Sequence, residues 1–376
     1  MRPAADRGKS GPASVLDSAL PPLAVGRVGW GAGPLGARLE EGARLAFRLP
    51  TPALPAASGG RGNGSALRRL LGALLFTCAL ALPAAAAAVE PDLAYGAYQA
   101  GHYRRAQSEA LKRLEADPKD AAAMTLLGEI YRQGLGVRND PKAAADWYRL
   151  AADKGDVNAI FALGMAMLEG RGLARDPKAG GALLEKAAAA GHPAANYNLA
   201  LALLATGRPQ DDQRAIASLR IAATADLGDA QHALGVLYKM GRGVPQDDAI
   251  AAEWMGKAAA SGLIAGEVEY AIMLFNGDGV AKDERAAAKL FIRAANKGNA
   301  IAQNRLAKLY QFGRAVPPDL SEAAAWHLAA RAQGLADATL DQVLERLSPE
   351  QRERAARLAA DRIEATALTA PSQPSK

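Results

Sequence analysis

The stretch AMTLLGEIYRQGLGVRNDPKAAADWYRLAADKG, residues 123–155, decides the fold, because its pattern returns in register along the chain. Ala123, Leu127, Gly128 and Tyr131 fall at helical spacing on one stripe, with small residues where a neighbouring helix must come close. Gly134 and Gly136 end this helix, since glycine takes the positive φ that a helix C-terminus needs. Asp140 starts a second helix, its carboxylate accepting from a free backbone N–H at the positive end of the helix dipole. Pro141 follows at the position where proline is best tolerated. The second helix carries Ala143, Trp147, Tyr148, Ala151 and Ala152 and stops near Gly155.

The same columns return five more times. The aspartate recurs as Asp176, Asp212, Asp247, Asp283 and Asp319, at intervals of 36, 36, 35, 36 and 36 residues. Twelve residues upstream of each stands Gly128, Gly164, Ala200, Gly235, Ala271 or Ala307. The turn glycines repeat as Gly170 with Gly172, Gly241 with Gly243 and Gly277 with Gly279, and the Trp147 position as Leu183, Leu219, Trp254, Leu290 and Trp326. A fixed period in the range of about 20–50 residues means a stacked repeat architecture whose function is read from its surface. Each unit is therefore predicted to be a helical hairpin with an alanine seam.

The pattern Ala-x-x-x-Leu-Gly-x-x-Tyr-x-x-Gly-x-Gly-Val, then Asp-x-Lys-Ala-x-x-x-Trp-Tyr-x-x-Ala-Ala-x-x-Gly, resembles the Sel1-like repeat, a relative of the tetratricopeptide repeat, from Ala121 to Gln333. The resemblance implies an all-α fold, a right-handed α-solenoid of stacked helical hairpins, with six repeats over residues 121–334. Two copies depart from the pattern. The third has Thr206 and Arg208 in place of the turn glycines, followed by Pro209, which predicts an altered turn; the sixth keeps Gly313 but has Ala315 second. Residues 89–120, with Tyr95, Tyr98, Gly101, Tyr103, Ala106, Ala110, Leu114 and Pro118, are similar to one tetratricopeptide hairpin that would cover the open apolar end. Residues 335–368 read as C-terminal capping helices, with Ser348 and Pro349 as an N-cap and first helical position, and 369–376 as a disordered tail.

The beginning of the chain is a different kind of sequence. Residues 1–65 are rich in Gly, Pro, Ala and Arg without sustained periodicity. In residues 66–88, Arg68 and Arg69 precede the apolar run Leu70–Leu82, then Pro83 and an alanine stretch to Ala88, the order of a secretory signal peptide cleaved near Ala88. The alternative is retention as a weak inner-membrane anchor, because the run falls short of the roughly 20 apolar residues of a comfortable span. A signal starting this late points either to a real cytoplasmic leader or to a start at Leu67, beside Arg68 and Arg69, in which case residues 1–65 are not part of the native protein.

Charge supports that partition. Ten of the 45 Lys and Arg and four of the 39 Asp and Glu precede Val89, so the net charge of +6 belongs to the leader and the remainder is balanced. Nucleic-acid binding, which needs clustered positive charge, loses its compositional support there. The single cysteine, Cys78, lies in the signal segment with Leu75, Phe76 and Thr77 before it, a poor lipidation site. Some exported Sel1-like proteins carry a disulfide in each repeat, and this chain is not of that subtype.

Chemistry is sparse. His102, His192, His232 and His327 lie in different units at no metal-ligand spacing, and each reads as a surface or loop residue. Asp211 with Asp212 and Asp247 with Asp248 are adjacent carboxylates, but each pair contains a cap aspartate of the repeat. No nucleophile elbow, phosphate loop or dinucleotide fingerprint occurs. No catalytic residue, metal or cofactor is expected.

What remains is a surface. If the first helix of each unit lines the concave side, the positions three before and one, four and five after the Gly128 column face a partner. They read Phe161, Met165, Leu168 and Glu169 in the second copy, Tyr197, Leu201 and Leu204 in the third, His232, Val236, Lys239 and Met240 in the fourth, and Val268, Ile272, Phe275 and Asn276 in the fifth. The first copy (Thr125, Glu129, Arg132, Gln133) and the sixth (Asn304, Lys308, Gln311, Phe312) are more polar. Such an apolar strip suits a helix or extended peptide, or else is packing between neighbouring repeats. The resemblance implies protein partners, and with the signal segment the expectation is a non-enzymatic adaptor in the periplasm or cell envelope. The alternatives are an envelope hydrolase or β-lactam- or peptidoglycan-binding protein, and a cytoplasmic signalling adaptor.

Overall fold

The computed structural model describes residues 92–369, which hold sixteen α-helices and no strand. The expected leader (1–65), the expected signal segment (66–88) with Cys78, and residues 370–376 of the expected tail lie outside the described residues, whereas Thr369, placed in that tail by the sequence reading, ends the last helix. In order the helices are α1 (Leu93–Gln99), α2 (Tyr103–Ala116), α3 (Ala121–Gln133), α4 (Pro141–Asp153), α5 (Val157–Glu169), α6 (Pro177–Ala189), α7 (Pro193–Ala205) and α8 (Pro209–Thr224). There follow α9 (Gly228–Met240), α10 (Asp248–Ala260), α11 (Ile264–Asn276), α12 (Glu284–Asn296), α13 (Ala300–Phe312), α14 (Leu320–Ala332), α15 (Ala338–Arg346) and α16 (Pro349–Thr369). The described residues form two compact units, one ending at Gly180 and the other beginning at Gly181.

In the first unit each helix from α1 to α5 packs on the next, which is how stacked hairpins bury one face apiece. Ala94, Ala110, Ala123 and Leu127 make one core cluster, and Ala97, Ala106 and Ile130 another. The small residue at Gly128 has a local cause: a Cβ there would lie 2.5 Å from Cε1 of Tyr148, whose ring fills the seam between α3 and α4. Gly172 explains the second turn glycine in the same way. It has φ of +74°, and a Cβ would meet the Pro141 carbonyl oxygen at 2.0 Å, so each turn rests on the start of the previous copy's second helix.

Within the second unit the helices from α8 to α14 pack consecutively. Leu203, Leu219, Leu234 and Leu237 centre one core cluster, Tyr238, Met255 and Met273 a second, and Phe291, Leu306, Trp326 and Leu340 a third. α15 and α16 both pack against α14, closing the array with a polar outer face. Asp337 caps α15, accepting from Thr339 and Leu340 N–H. At α16, Ser348 Oγ accepts from the Gln351 N–H (3.2 Å) while Gln351 Oε1 accepts from the Ser348 N–H (3.0 Å), a reciprocal capping box.

Five of the six repeat aspartates cap the second helix. Asp140, Asp176, Asp283 and Asp319 accept from the N–H three residues on, at 2.9, 3.0, 2.9 and 3.0 Å, and Asp247 accepts from both Ala249 and Ile250. Asp212 does not, and the sequence expectation is corrected there. Pro209 starts α8 early, its N-cap is Arg208 without a side-chain bond, and Asp212 lies inside the first turn, 7 % exposed. The altered turn appears as expected: Gly207 takes φ of +67°, and the Thr206 hydroxyl (2.7 Å) and Arg208 Nε (2.6 Å) both bond Asp211. These bonds hold the Asp211 carboxyl below the usual carboxylate range.

Copies three and six also place ordinary residues where the others use glycine. Asp226 (φ +58°) stands in the column of Gly155, Gly191, Gly262, Gly298 and Gly334, and Ala315 (φ +60°) stands where Gly279 or Gly136 stands. A left-handed conformation strains an L-residue by about 1–2 kcal/mol, of which the greater unfolded-state freedom of glycine removes part. Ala315→Gly is therefore expected to stabilise the protein by about 0.5–1 kcal/mol, read as a higher midpoint in urea; an unchanged or lower midpoint would show that the turn carries no strain.

A second capping column starts the first helices. Asp120, Asp156 and Asn299 accept from the N–H three residues on at 3.0, 2.7 and 2.9 Å, and in the third copy His192 Nδ1 does so from Ala195 at 3.1 Å. An imidazole can accept at Nδ1 only when neutral. Burial lowers the His192 pKa to about 4 from 6.5. The unfolded chain therefore takes up this proton first, so the associated stability is whole above pH 6.5 and drains away as pH falls from 6.5 to 4, by up to about 3 kcal/mol. His192→Asn keeps a cap acceptor and should flatten that part of the stability–pH curve; equal slopes for both proteins between pH 4 and 6.5 would refute the assignment.

The expectation of surface or loop histidines holds for His102, which is exposed, and for His192, a loop residue although only 8 % exposed; it is corrected for His327, which is fully buried in α14 with Nε2 2.8 Å from Asp341 Oδ1 of α15, while His232 is half-buried within α9.

Candidate functional site

The strip divides by burial. In the first unit Phe161 is 1 % and Met165 6 % exposed, so both are packing residues, while Leu168 and Glu169 are half-buried. The polar first copy is a closed network: buried Glu129 accepts from Arg132 Nε (3.0 Å) and Nη2 (2.6 Å), from the Tyr148 hydroxyl (2.9 Å) and from Gln133. Burial, together with the nearby Glu129 charge, raises the Tyr148 pKa well above its ordinary value.

In the second unit Tyr197, Leu201, Leu204, His232, Val236, Ile272 and Phe275 are half-buried. Tyr197 and Leu204 rest on the cluster around Leu219, Val236 on that around Met255, and Ile272 and Phe275 on that around Phe291. Val268 is buried, whereas Met240 is 57 % and Phe312 62 % exposed. Those two occupy the same position at the C-terminal ends of α9 and α13, where Asn276 ends α11. Polar groups border the face: Lys239 pairs with Glu269 at 3.2 Å, Lys308 with Asp337 at 2.7 Å, and the Arg314 guanidinium lies 4.4 Å from the Phe275 ring centre. The arrangement is an apolar face with a paired, neutral rim.

One recurrent device escaped the sequence reading. At the fourth residue of the first helices, Asn196, Gln231 and Gln303 donate their amides to Ala188, Ala223 and Ala295 carbonyls of the preceding helix, at 2.9, 3.2 and 3.2 Å. Glu267 holds that position in the fifth copy and cannot donate. Arg293 Nη2 bonds the Ala259 carbonyl instead (3.1 Å), and Arg293 Nε and Lys297 Nζ pair with the buried carboxylate at 2.7 and 2.8 Å. The signal was present as a polar residue recurring on an otherwise apolar helical stripe.

Among the described residues, no group of three or more His, Cys, Asp or Glu could hold a metal ion. No described helix is long and apolar enough to cross a membrane.

Stacked helical hairpins presenting such faces define a helical-repeat protein of the solenoid class. The chain belongs to the Sel1 repeat family, whose model matches it six times in succession, at residues 121–156, 157–192, 193–227, 228–263, 264–299 and 300–335. Sel1 repeat proteins generally serve as protein-interaction scaffolds. Among solved structures, the chain is similar to a Sel1 repeat protein from Oxalobacter formigenes, with 30% identity over 71% of this chain and 83% of that one and a TM-score of 0.49. It is also similar to a protective antigen of uropathogenic Escherichia coli strains displaying an SLR fold, with 24% identity over 73% and 68% of the two chains and a TM-score of 0.47. No curated protein sequence matches it.

Proposed function

We propose that this protein is a non-enzymatic interaction scaffold of the cell envelope, exported through residues 66–88, which holds a protein or peptide partner on the first-helix face of its second unit. The observation that carries the surface is the exposure of Met240 and Phe312 beside half-buried Leu201, Leu204, Val236, Ile272 and Phe275. Apolar side chains left accessible together on a rigid scaffold favour a partner that brings its own apolar stripe, and the pre-ordered helices lose little entropy when it docks. The neutral rim suits a partner chosen by shape and apolar contact. Export rests on the order of Arg68 and Arg69, the apolar run and the alanine stretch.

The test places a photo-crosslinking residue at Met240, Phe312 or, as a control on an exposed helix start, Lys142, in intact cells. One shared product at Met240 and Phe312 and none at Lys142 supports the face; the same products at all three positions would discard it. Fractionation with N-terminal sequencing tests export, for which a mature chain beginning near Val89 in the envelope fraction is expected.

A further inference from the structure

Sulfur chemistry singles out one position on the apolar face of the second unit. Six methionines lie among the described residues. Met124, Met165, Met255 and Met273 are between 0 and 6 % exposed, inside the helix packing, and Met167 is half-buried. Met240 is 57 % exposed. It is the last residue of α9, one turn beyond half-buried Val236, so it continues the apolar face while remaining open to solvent. The helix ends there on Gly241 in the left-handed conformation (φ +65°), and α11 ends the same way, with Asn276 in place of the methionine and Gly277 at φ +88°. Asn276 is exposed and its amide donates to Asp278 Oδ2 at 3.0 Å. This column therefore accommodates a polar group with the same left-handed helix end.

We propose that Met240 is a modification site, oxidised to the sulfoxide by hydrogen peroxide or another hydroperoxide, and that the modification releases the docked partner. The sulfur lone pair attacks one peroxide oxygen, an S–O bond forms as the O–O bond breaks, and the departing hydroxide takes the proton of the transferred hydroxyl to leave as water. Sulfur gives up two electrons and the peroxide accepts them, so thioether and peroxide become sulfoxide and water. The product is a polar hydrogen-bond acceptor where the thioether was apolar. Under an apolar partner stripe it loses water without gaining a donor, which opposes docking. In the free protein the sulfoxide stays hydrated, so the fold is untouched, as the polar Asn276 at the same column illustrates. The buried methionines are shielded by their helices, which confines the chemistry to the face. The inference rests on the proposed partner surface and names how that surface is regulated.

The test treats the full chain with hydrogen peroxide and follows each methionine by peptide mass mapping. Met240 should convert at least about tenfold faster than Met124, Met165, Met255 or Met273, with the urea midpoint unchanged. Conversion of those four at the rate of Met240, or faster conversion of Met167, would overturn the site. In intact cells a photo-crosslinking residue at Phe312 reads docking. Peroxide should cut its product about tenfold. Met240→Gln, which places a polar group there permanently, should cut it likewise without peroxide. Met240→Leu, which keeps an apolar side chain and removes the sulfur, should hold the product level in both conditions. Equal loss of product in Met240→Leu, or a parent-like yield in Met240→Gln, would overturn the release. If Phe312 gives no product even before peroxide, the partner face fails and the release falls with it, while the peptide map still decides the oxidation site.

Discussion

Phe161→Ala should lower the unfolding free energy by about 3–5 kcal/mol, the cost of emptying a filled aromatic site in a close-packed interior. Its position alone suggests the opposite, since it belongs to the column that in other copies holds Tyr197 and His232. The difference lies in α5, where seven consecutive residues from Ala159 to Met165 are buried. A helix apolar on every side is a core element with no face to offer. In urea the variant should therefore show a greatly reduced midpoint, whereas Met240→Ala and Phe312→Ala, which remove mostly solvated side chains, should stay within about 0.5 kcal/mol of the parent. Parent-like unfolding of Phe161→Ala would return that residue to the partner surface.

A loss of comparable size, about 3–5 kcal/mol, is expected for Arg242→Ala, because it strands a buried carboxylate. Arg242 sits in the turn after α9 and reaches back to the third copy, with Nε 3.0 Å from Asp212 Oδ2 and Nη2 2.7 Å from Oδ1. The same Nη2 donates to the Leu204 carbonyl at 2.6 Å. One guanidinium thus satisfies both oxygens of a carboxylate that the early start of α8 has drawn inside, and a backbone group as well. Arg242→Lys should recover only part of the loss, since an ammonium cannot form the fork. In a double-mutant cycle, Asp212→Asn should be far less harmful in the Arg242→Ala background than alone; strictly additive losses would mean the two do not act as a pair.

The parts legible in the sequence are those set by the local backbone. A helix end needs a left-handed residue and a helix start needs an acceptor, so Gly134, Gly170 and Gly241 and the capping Asp140, Asp247 and Asp283 announce themselves at fixed spacing. Asp212 misleads because a single Pro209 shifts the helix start while leaving the spacing intact. His192 was hidden for another reason. Its column holds Asp120, Asp156 and Asn299, and a neutral imidazole can stand in for their oxygens, a substitution that a search for metal-ligand spacing passes over. The candidate surface was legible as a set of positions but not as an exposed face. Whether Phe161 or Met240 meets water depends on the side chains that neighbouring helices bring, and those are chosen by tertiary packing.

The bonds that join one hairpin to the next are short in sequence. Lys239 and Glu269 are 30 residues apart, Arg242 and Asp212 also 30, and Arg362 and Glu322 of the closing helix 40. A chain wired in this way has little to wait for. As it emerges from a ribosome or from a narrow pore, each hairpin can find its own caps, turn and neighbour while the rest is still extended, because loop closure over such distances is cheap and fast. Such a protein can be threaded through a barrier in single file and assembled on the far side from its leading end.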